Sequence, residues 1–173
     1  MISMKLQGLG LINIAFNHWL KKYGFEARVR GVDEDFFWYH NNTISYSFFF
    51  PIEAAENWSC LMEELGCNYD IDEFYTAFLH ELGHSHTYWD FEEEELDEYY
   101  DILKLMDKEP SSFAESIHYI YTHLPVEYEA SRWAVNYINA YPERVKELVD
   151  LVGKAVRLFY ELNDVVDEDS FDF

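Results

Sequence analysis

The sequence predicts an α+β fold, in which a small three-stranded amino-terminal sheet, antiparallel or mixed, packs on a predominantly helical bulk. Strand-like alternation is confined to about residues 25–50, and almost everything after Pro51 repeats its apolar residues at helical spacing. The chain has 173 residues, of which 49% are hydrophobic, so it can bury a sizeable core. We expect one domain over residues 1–162 and an acidic carboxyl-terminal tail over 163–173.

The amino-terminal third begins with an amphipathic helix and continues into short strands. Apolar residues between Leu9 and Tyr23 recur at helical spacing, and Gly24 is placed to end the helix. Strands are then expected over three ranges: 25–31, 36–40 and 43–50. The dipeptide Asn41-Asn42 separates the last two, because asparagine tolerates the backbone of a tight turn.

The rest of the chain predicts helices with recognisable ends. Asp70 or Asp72 can cap the helix that contains HELGH, and Asp90 with Glu93 has the form of a capping box for an acidic helix over 91–107. The remaining helices are expected at four places: one closed near Gly66, one opening with Ser112 and Glu115, and two over 126–140 and 142–162.

The charge is strongly negative and unevenly distributed. The formal net charge is −22; residues 1–52 carry five Lys/Arg against four Asp/Glu, a net of +1, which leaves −23 for residues 53–173. Such a chain repels nucleic-acid backbones and anionic membranes, so we expect neither as a partner. A basic protein is the partner that this charge favours.

The compartment is expected to be the cytoplasm. The chain has two cysteines, too few for a disulfide framework, and we interpret both as packed thiols. The first sixteen residues resemble a signal peptide only faintly, because Gln7 and Asn13 interrupt the apolar run and no small-residue cleavage site follows.

The stretch HELGH, residues 80–84, predicts a metal site. On a helix, residues i and i+4 share one face, so His80 and His84 can both direct an imidazole at one ion. Glu81 lies about 100° further round and can reach a water on that ion. A zinc ion lowers the pKa of its bound water, and a neighbouring carboxylate can take the proton and pass it to a leaving amine. Gly83 costs about 1 kcal/mol in a helix unless a neighbour packs closely there, so we expect a crowded contact.

A catalytic zinc needs a third protein ligand, and a later helix offers two glutamates. The segment PVEYEASRWAVNY contains Glu127 and Glu129, about 200° apart on a helix, so that one alone can face the ion. Periodicity leaves both open.

HELGH followed by Glu127, Glu129, Ala130, Trp133 and Ala134 resembles the ImmA/IrrE-type metallopeptidases. These are gluzincins whose second motif reads E-x-E-A-x-x-F-A. The resemblance covers about residues 71–138 and implies a zincin-like fold, a Zn²⁺ cofactor, and a protein substrate such as a DNA-binding regulator. It also implies that Glu129 is the third ligand and that Ala130 permits close helix packing. In zincin-like sheets an edge strand binds extended peptide, and TISYSFFF is the candidate.

Other polar residues are weaker candidates. His118 and His123, and also Tyr88 and Tyr128, are of the types that stabilise an oxyanion. His86 follows His84 by two residues and is expected at the surface.

Two functions follow from these patterns. The first is a zinc metallopeptidase in which His80, His84 and one glutamate hold the ion and Glu81 is general base and acid. The alternative is a non-enzymatic acidic binder that mimics nucleic acid and occupies a basic protein.

Overall fold

The computed structural model describes residues 9–32, 38–47, 59–106, 108 and 119–162. The elements in chain order are α1 (Leu9–Lys22), β1 (Arg28–Val32), β2 (Trp38–His40), β3 (Thr43–Ser47), α2 (Ser59–Glu64), α3 (Glu73–Thr87), α4 (Glu93–Met106), α5 (Pro125–Ala140) and α6 (Pro142–Leu162). A short 3-10 helix, Tyr88–Asp90, follows α3, and residues 119–122 are helical. The α+β prediction is confirmed.

Contacts within the chain divide it into two compact units. The sheet unit comprises Met1–Ala54 and Tyr141–Phe173, and the helical unit comprises Ala55–Ala140. The single domain over 1–162 stays a prediction, and the acidic tail over 163–173 lies outside the described residues. In the part of the chain that the structure describes, no helix is both long and apolar enough to cross a membrane.

The sheet is mixed, with strand order β1-β3-β2. β3 is parallel to β1 and antiparallel to β2, so Thr43 is paired with Arg28 on one side and His40 on the other. The two-residue turn between β2 and β3 places both Asn41 and Asn42 at positive φ, 48° and 57°, which asparagine tolerates better than most residues. The predicted tight turn is confirmed.

The prediction that TISYSFFF forms an edge strand is wrong over its described part. β3 is the central strand, and both of its edges are hydrogen-bonded to neighbours. Strand addition needs an unpaired edge, so β3 has no edge to offer an extended peptide. The reason lies in the parallel pairing of β1, which sequence alternation cannot reveal.

Two asparagines of α1 cover the outer edge of β1. Asn17 accepts from the Val29 backbone N–H at 3.0 Å and donates to the Val29 carbonyl at 2.9 Å. Asn13 accepts from the Gly31 N–H at 3.0 Å. These bonds satisfy backbone groups that an edge strand otherwise leaves exposed. The polar interruptions in the first helix therefore hold it to the sheet.

The core of the sheet unit lies around α1 and α6, which pack on each other. Trp19 is fully buried, and its Nε1 donates to the Arg144 carbonyl at 2.8 Å. Each fully buried large apolar side chain contributes about 1.5–3 kcal/mol. The other buried residues include Ile12, Phe16, Leu20, Ile44, Leu148, Val152 and Phe159.

The helical unit is built around α3 and α5, its most extensively packed pair. Asp72 caps the start of α3, because its side chain accepts a hydrogen bond from the Phe74 N–H at 2.8 Å. It is one of the two residues predicted for this role. The predicted end of α2 is also confirmed, since Gly66 has a φ of +80° that favours glycine.

The predicted capping box of α4 is shifted by two residues. The backbone N–H of Glu92 donates to the Glu95 carboxylate at 2.9 Å, so this bond of a capping box joins Glu92 and Glu95 in place of Asp90 and Glu93. The 3-10 turn that contains Asp90 separates it from α4. Ser112 and Glu115 lie outside the described residues.

Candidate metal centre

Three residues of HELGH form a buried group on α3. His80, Glu81 and His84 are 0%, 6% and 7% exposed, and one potential ligand atom from each lies within 4.8 Å of the others. The helix keeps this face buried because apolar residues such as Phe78, Leu79 and Leu82 surround it. A burial of this degree is unusual for such polar residues unless they have specific partners.

Gly83 lets α5 approach the two histidines. A Cβ at this position would overlap the backbone carbonyl oxygen of Ala130 and would lie 3.0 Å from its Cα. The predicted crowded contact is therefore confirmed: Gly83 packs against the backbone of Ala130. The close approach explains why α3 tolerates a glycine in its interior.

Glu127 on α5 brings its carboxylate to both histidines. Its Oε2 lies 3.0 Å from His80 Nε2 and 3.5 Å from His84 Nε2, and the residue is only 1% exposed. Two imidazole nitrogens therefore face one carboxylate oxygen inside the helical unit. The arrangement has the composition of a His-His-Glu ligand set.

The structure places Glu127 at the histidines, where the resemblance implied Glu129. Glu129 forms an ion pair with Arg132 on the same helix, and its side chain is 30% exposed. The two glutamates lie about 200° apart on α5, so the face that packs on α3 can present one of them. Of the two glutamates, Glu127 is the one whose carboxylate lies at the histidines, while the choice of third ligand stays a prediction.

A stripe of small residues could have identified Glu127 from the sequence. Ala130, Ser131 and Ala134 follow Glu127 by three, four and seven residues, and all three are fully buried. Residues at these spacings share one helix face, and small side chains permit a close neighbour. Glu129 has no comparable stripe, because Arg132 is exposed.

Ser131 fixes the orientation of His80. Its Oγ lies 2.9 Å from His80 Nδ1, opposite the nitrogen that faces Glu127. Ligand histidines are oriented in this way by a partner on the second ring nitrogen, which sets the tautomer. When Nδ1–H donates to Ser131, the lone pair of Nε2 is available for an ion.

Two tyrosines that sequence reasoning did not single out complete the surroundings of Glu127. The Tyr99 hydroxyl on α4 donates to Glu127 Oε1. Burial raises the pKa of both Tyr99 and Tyr121, and the negative charge of Glu127 raises it further. Both tyrosines remain protonated. With fourteen tyrosines in the chain, no local pattern distinguished these two.

Glu127, His84 and His80 form a partly charged triad. Burial alone raises the pKa of Glu127, but the charge on His84 and the hydrogen bonds from both histidines hold it well below its usual range. Burial alone lowers the pKa of His84, but the charges of Glu127 and Glu81 raise it above its ordinary value. For His80, burial prevails and lowers the pKa. Without an ion, a proton shared with His84 compensates the buried carboxylate.

The other candidates are placed elsewhere or lie outside the described residues. His123 lies 3.7 Å from Glu64, and its ring lies 4.1 Å from that of Tyr119, while His118 is outside the described part. The Tyr88 hydroxyl pairs with that of Tyr100 at 2.8 Å. His86 is exposed and stacks on Trp133, so its predicted surface position is confirmed. Tyr128 is half-buried.

Comparisons with models of known protein families, with curated proteins and with solved structures found no match for this chain. The resemblance to ImmA/IrrE-type metallopeptidases therefore rests on the two short motifs. What the molecule itself provides is a buried His-Glu-His group joined to Glu127, which could hold a metal ion.

The donor set fits zinc chemically. Two neutral imidazoles and one carboxylate are the ligands of catalytic zinc sites, which keep a further position open for water. The ligand atoms are already convergent, and His80 has its orienting partner in Ser131.

Proposed function

We propose that this protein is a zinc-dependent peptidase that acts on a protein substrate. The observation that carries the proposal is the position of Glu127 Oε2, which lies 3.0 Å from His80 Nε2 and 3.5 Å from His84 Nε2, beside the buried Glu81. Structural zinc sites are closed by four protein ligands, whereas a set of three with an adjacent carboxylate is typical of hydrolytic sites.

His80, His84 and Glu127 would hold the ion. Zinc bound there would lower the pKa of a coordinated water toward neutrality and polarise the carbonyl of a peptide bond. The negative charge of Glu127 offsets part of the charge of the ion, and Ser131 keeps His80 in the required tautomer. Tyr99 is a positioning residue, since its hydroxyl donates to Glu127.

Glu81 would be the general base and acid. Its carboxylate lies within 4.8 Å of the ligand atoms of His80 and His84. Because Glu81 follows His80 directly on α3, its side chain points about 100° away from the face that the two histidines share. From there it can take a proton from the attacking water and deliver it to the nitrogen of the leaving amine.

The test is the variant Glu81→Gln. We expect it to keep zinc at the wild-type level, because Glu81 is not a ligand, and to reduce cleavage by about 10²-fold or more, because it removes proton transfer. Zinc content is measured by elemental mass spectrometry, and cleavage by mass spectrometry of a proteome-derived peptide mixture. Cleavage that persists in this variant would contradict the assigned mechanism.

The exposed acidic face of α4 favours a second candidate function, a non-enzymatic binder of a basic protein. Glu93, Glu94, Asp97 and Glu98 are all exposed on this helix. The binder would associate tightly and in a salt-sensitive manner with a basic partner such as a DNA-binding protein. Association that survives His80→Ala together with His84→Ala would support it, and loss of association would contradict it.

A further inference from the structure

We infer that a cavity beside the candidate metal centre binds a lysine or arginine side chain of the substrate, an inference that rests on the proposed peptidase function. The cavity has a volume of about 180 Å³ and lies within the helical unit, between α4 and the start of α5. The residues that line it include Glu95, Glu98, Tyr99, Ile102, Leu124 and Val126.

The size and walls of the cavity suit one long side chain. Pockets for whole small-molecule ligands begin at about 300 Å³, so this one is too small for such a ligand. Leu124 and Val126 are buried and, with Ile102, form an apolar wall. An apolar wall of this kind is suited to the methylene stem of a lysine or arginine.

Two carboxylates on α4 give the cavity its charge. Glu95 and Glu98 are one turn apart on the same helix face, and both are exposed. Glu95 accepts the backbone N–H of Glu92, and no basic side chain in the described ranges forms an ion pair with Glu95 or Glu98. Charge complementarity therefore selects a cation at this end of the cavity.

Tyr99 connects the cavity to the metal centre. Its side chain lines the cavity, while its hydroxyl donates to the candidate ligand Glu127. Val126, which also lines the cavity, immediately precedes Glu127. A substrate residue whose side chain enters the cavity would consequently have its backbone close to the peptide bond that is cleaved.

The chemistry excludes the other classes of side chain. An acidic side chain would be repelled by Glu95 and Glu98, and a short polar one would not reach from the apolar wall to the carboxylates. A purely apolar side chain would fill the wall but would desolvate the two charges without compensating them. Lysine and arginine satisfy both ends, because each has an apolar stem and a charged head.

Small probes test the cavity without any need for catalysis. Nα-acetyl-arginine amide is titrated into the zinc-supplemented full chain, and the methyl resonances of Ile102, Leu124 and Val126 are followed by NMR. We expect saturable shifts at these methyls. The neutral isostere Nα-acetyl-citrulline amide should bind about tenfold more weakly, because it lacks the charge-assisted hydrogen bonds.

Charge-matched variants identify the carboxylates. Glu95→Gln with Glu98→Gln should weaken binding of the arginine probe about tenfold. The control, Glu94→Gln with Asp97→Asn, removes the same charge from the same helix at positions that do not line the cavity, and it should leave binding unchanged. Absence of saturable shifts, equal binding of citrulline, or equal weakening in both variants would overturn the inference.

Cleavage profiling separates this inference from the proposed function. If the wild-type protein cleaves a peptide mixture, we expect Lys and Arg to be enriched at one substrate position, with the enrichment lost in the Glu95→Gln, Glu98→Gln variant alone. Cleavage without that enrichment would overturn the cavity assignment and leave the peptidase proposal intact. If no peptide is cleaved, the proposed function fails, and the probe titration still decides the cavity.

Discussion

At the scale of single residues, Tyr99 determines how Glu127 is held. Its hydroxyl donates to one carboxylate oxygen, and the other oxygen is the one that faces the histidines. Such outer-shell partners fix the orientation of a ligand. Their loss typically lowers metal affinity by about 10–100-fold.

The variant Tyr99→Phe should therefore bind zinc about 10–100-fold more weakly than the wild type while it stays folded. Competition with a chromophoric chelator measures the affinity. Tyr100→Phe is the matched control, because Tyr100 is adjacent and its hydroxyl pairs with Tyr88. An unchanged affinity in Tyr99→Phe, or an equal loss in Tyr100→Phe, would show that Glu127 does not depend on Tyr99.

The protonation of His84 predicts a pH dependence of metal affinity. Burial lowers the pKa of His84, but the charges of Glu127 and Glu81 outweigh it and raise that pKa, so the metal-free group keeps a proton there to a higher pH than a free imidazole does. Zinc must displace that proton, because only neutral imidazole coordinates it. Affinity should accordingly be highest above the raised pKa and fall as pH decreases through it.

Calorimetry in two buffers with different ionisation enthalpies measures the protons that zinc releases. We expect release of about one proton at pH values below the raised pKa of His84. The variant His84→Gln should lose both the release and most of the affinity. A zinc affinity that does not fall as pH decreases, together with an absence of proton release, would contradict the charged triad.

At the scale of elements, the site depends on the close packing of α3 on α5. Gly83→Ala gains about 1 kcal/mol in helix propensity but forces a methyl group against the backbone of Ala130, which typically costs about 1–3 kcal/mol. Backbone cannot rotate away as a side chain can, so we expect the clash to prevail.

Gly83→Ala should lower the midpoint of thermal unfolding by several degrees and should weaken zinc binding, since it separates the histidines from Glu127. Calorimetric or circular-dichroism melting and chelator competition measure the two effects. Gly10→Ala is the control, because a Cβ there would meet nothing within 4 Å. A stabilised Gly83→Ala protein with intact zinc binding would show that the two helices can move apart freely.

The elements also show how far local sequence rules extend. The ends of α1, α2 and α3 follow from Gly24, Gly66 and Asp72, because caps and left-handed glycines act within a few residues. The order of the strands depends instead on pairing between β1 and β3, which are separated along the chain. Periodicity within a strand carries no information about such a partner.

The candidate site also has one part that local sequence predicts and another that depends on tertiary packing. His80, Glu81 and His84 share a helix turn, so their spacing alone brings them together. The contributions of Glu127, Ser131 and Tyr99 come from other helices and depend on which faces meet. Of these, the small-residue stripe after Glu127 was visible in the sequence, whereas the position of α4 was not.

At the scale of the whole molecule, the charge of −22 acts on partners. Most of the negative charge belongs to residues 53–173, where the candidate site and the exposed face of α4 are found. A field of this sign raises the local concentration of cations and of basic peptides, and it does so more strongly at low salt. Both the metal ion and the basic side chain proposed for the cavity are species that this field attracts.

The central claim is that His80, His84 and Glu127 hold one zinc ion, and zinc content tests it most directly. The wild-type chain and three variants, His80→Ala, Glu127→Gln and Glu129→Gln, are purified without added metal, equilibrated with zinc, desalted and analysed by elemental mass spectrometry. We predict about one zinc per chain in the wild type and in Glu129→Gln, and loss of zinc in the other two. Zinc retained by Glu127→Gln, lost from Glu129→Gln, or absent from the wild type would contradict the assignment.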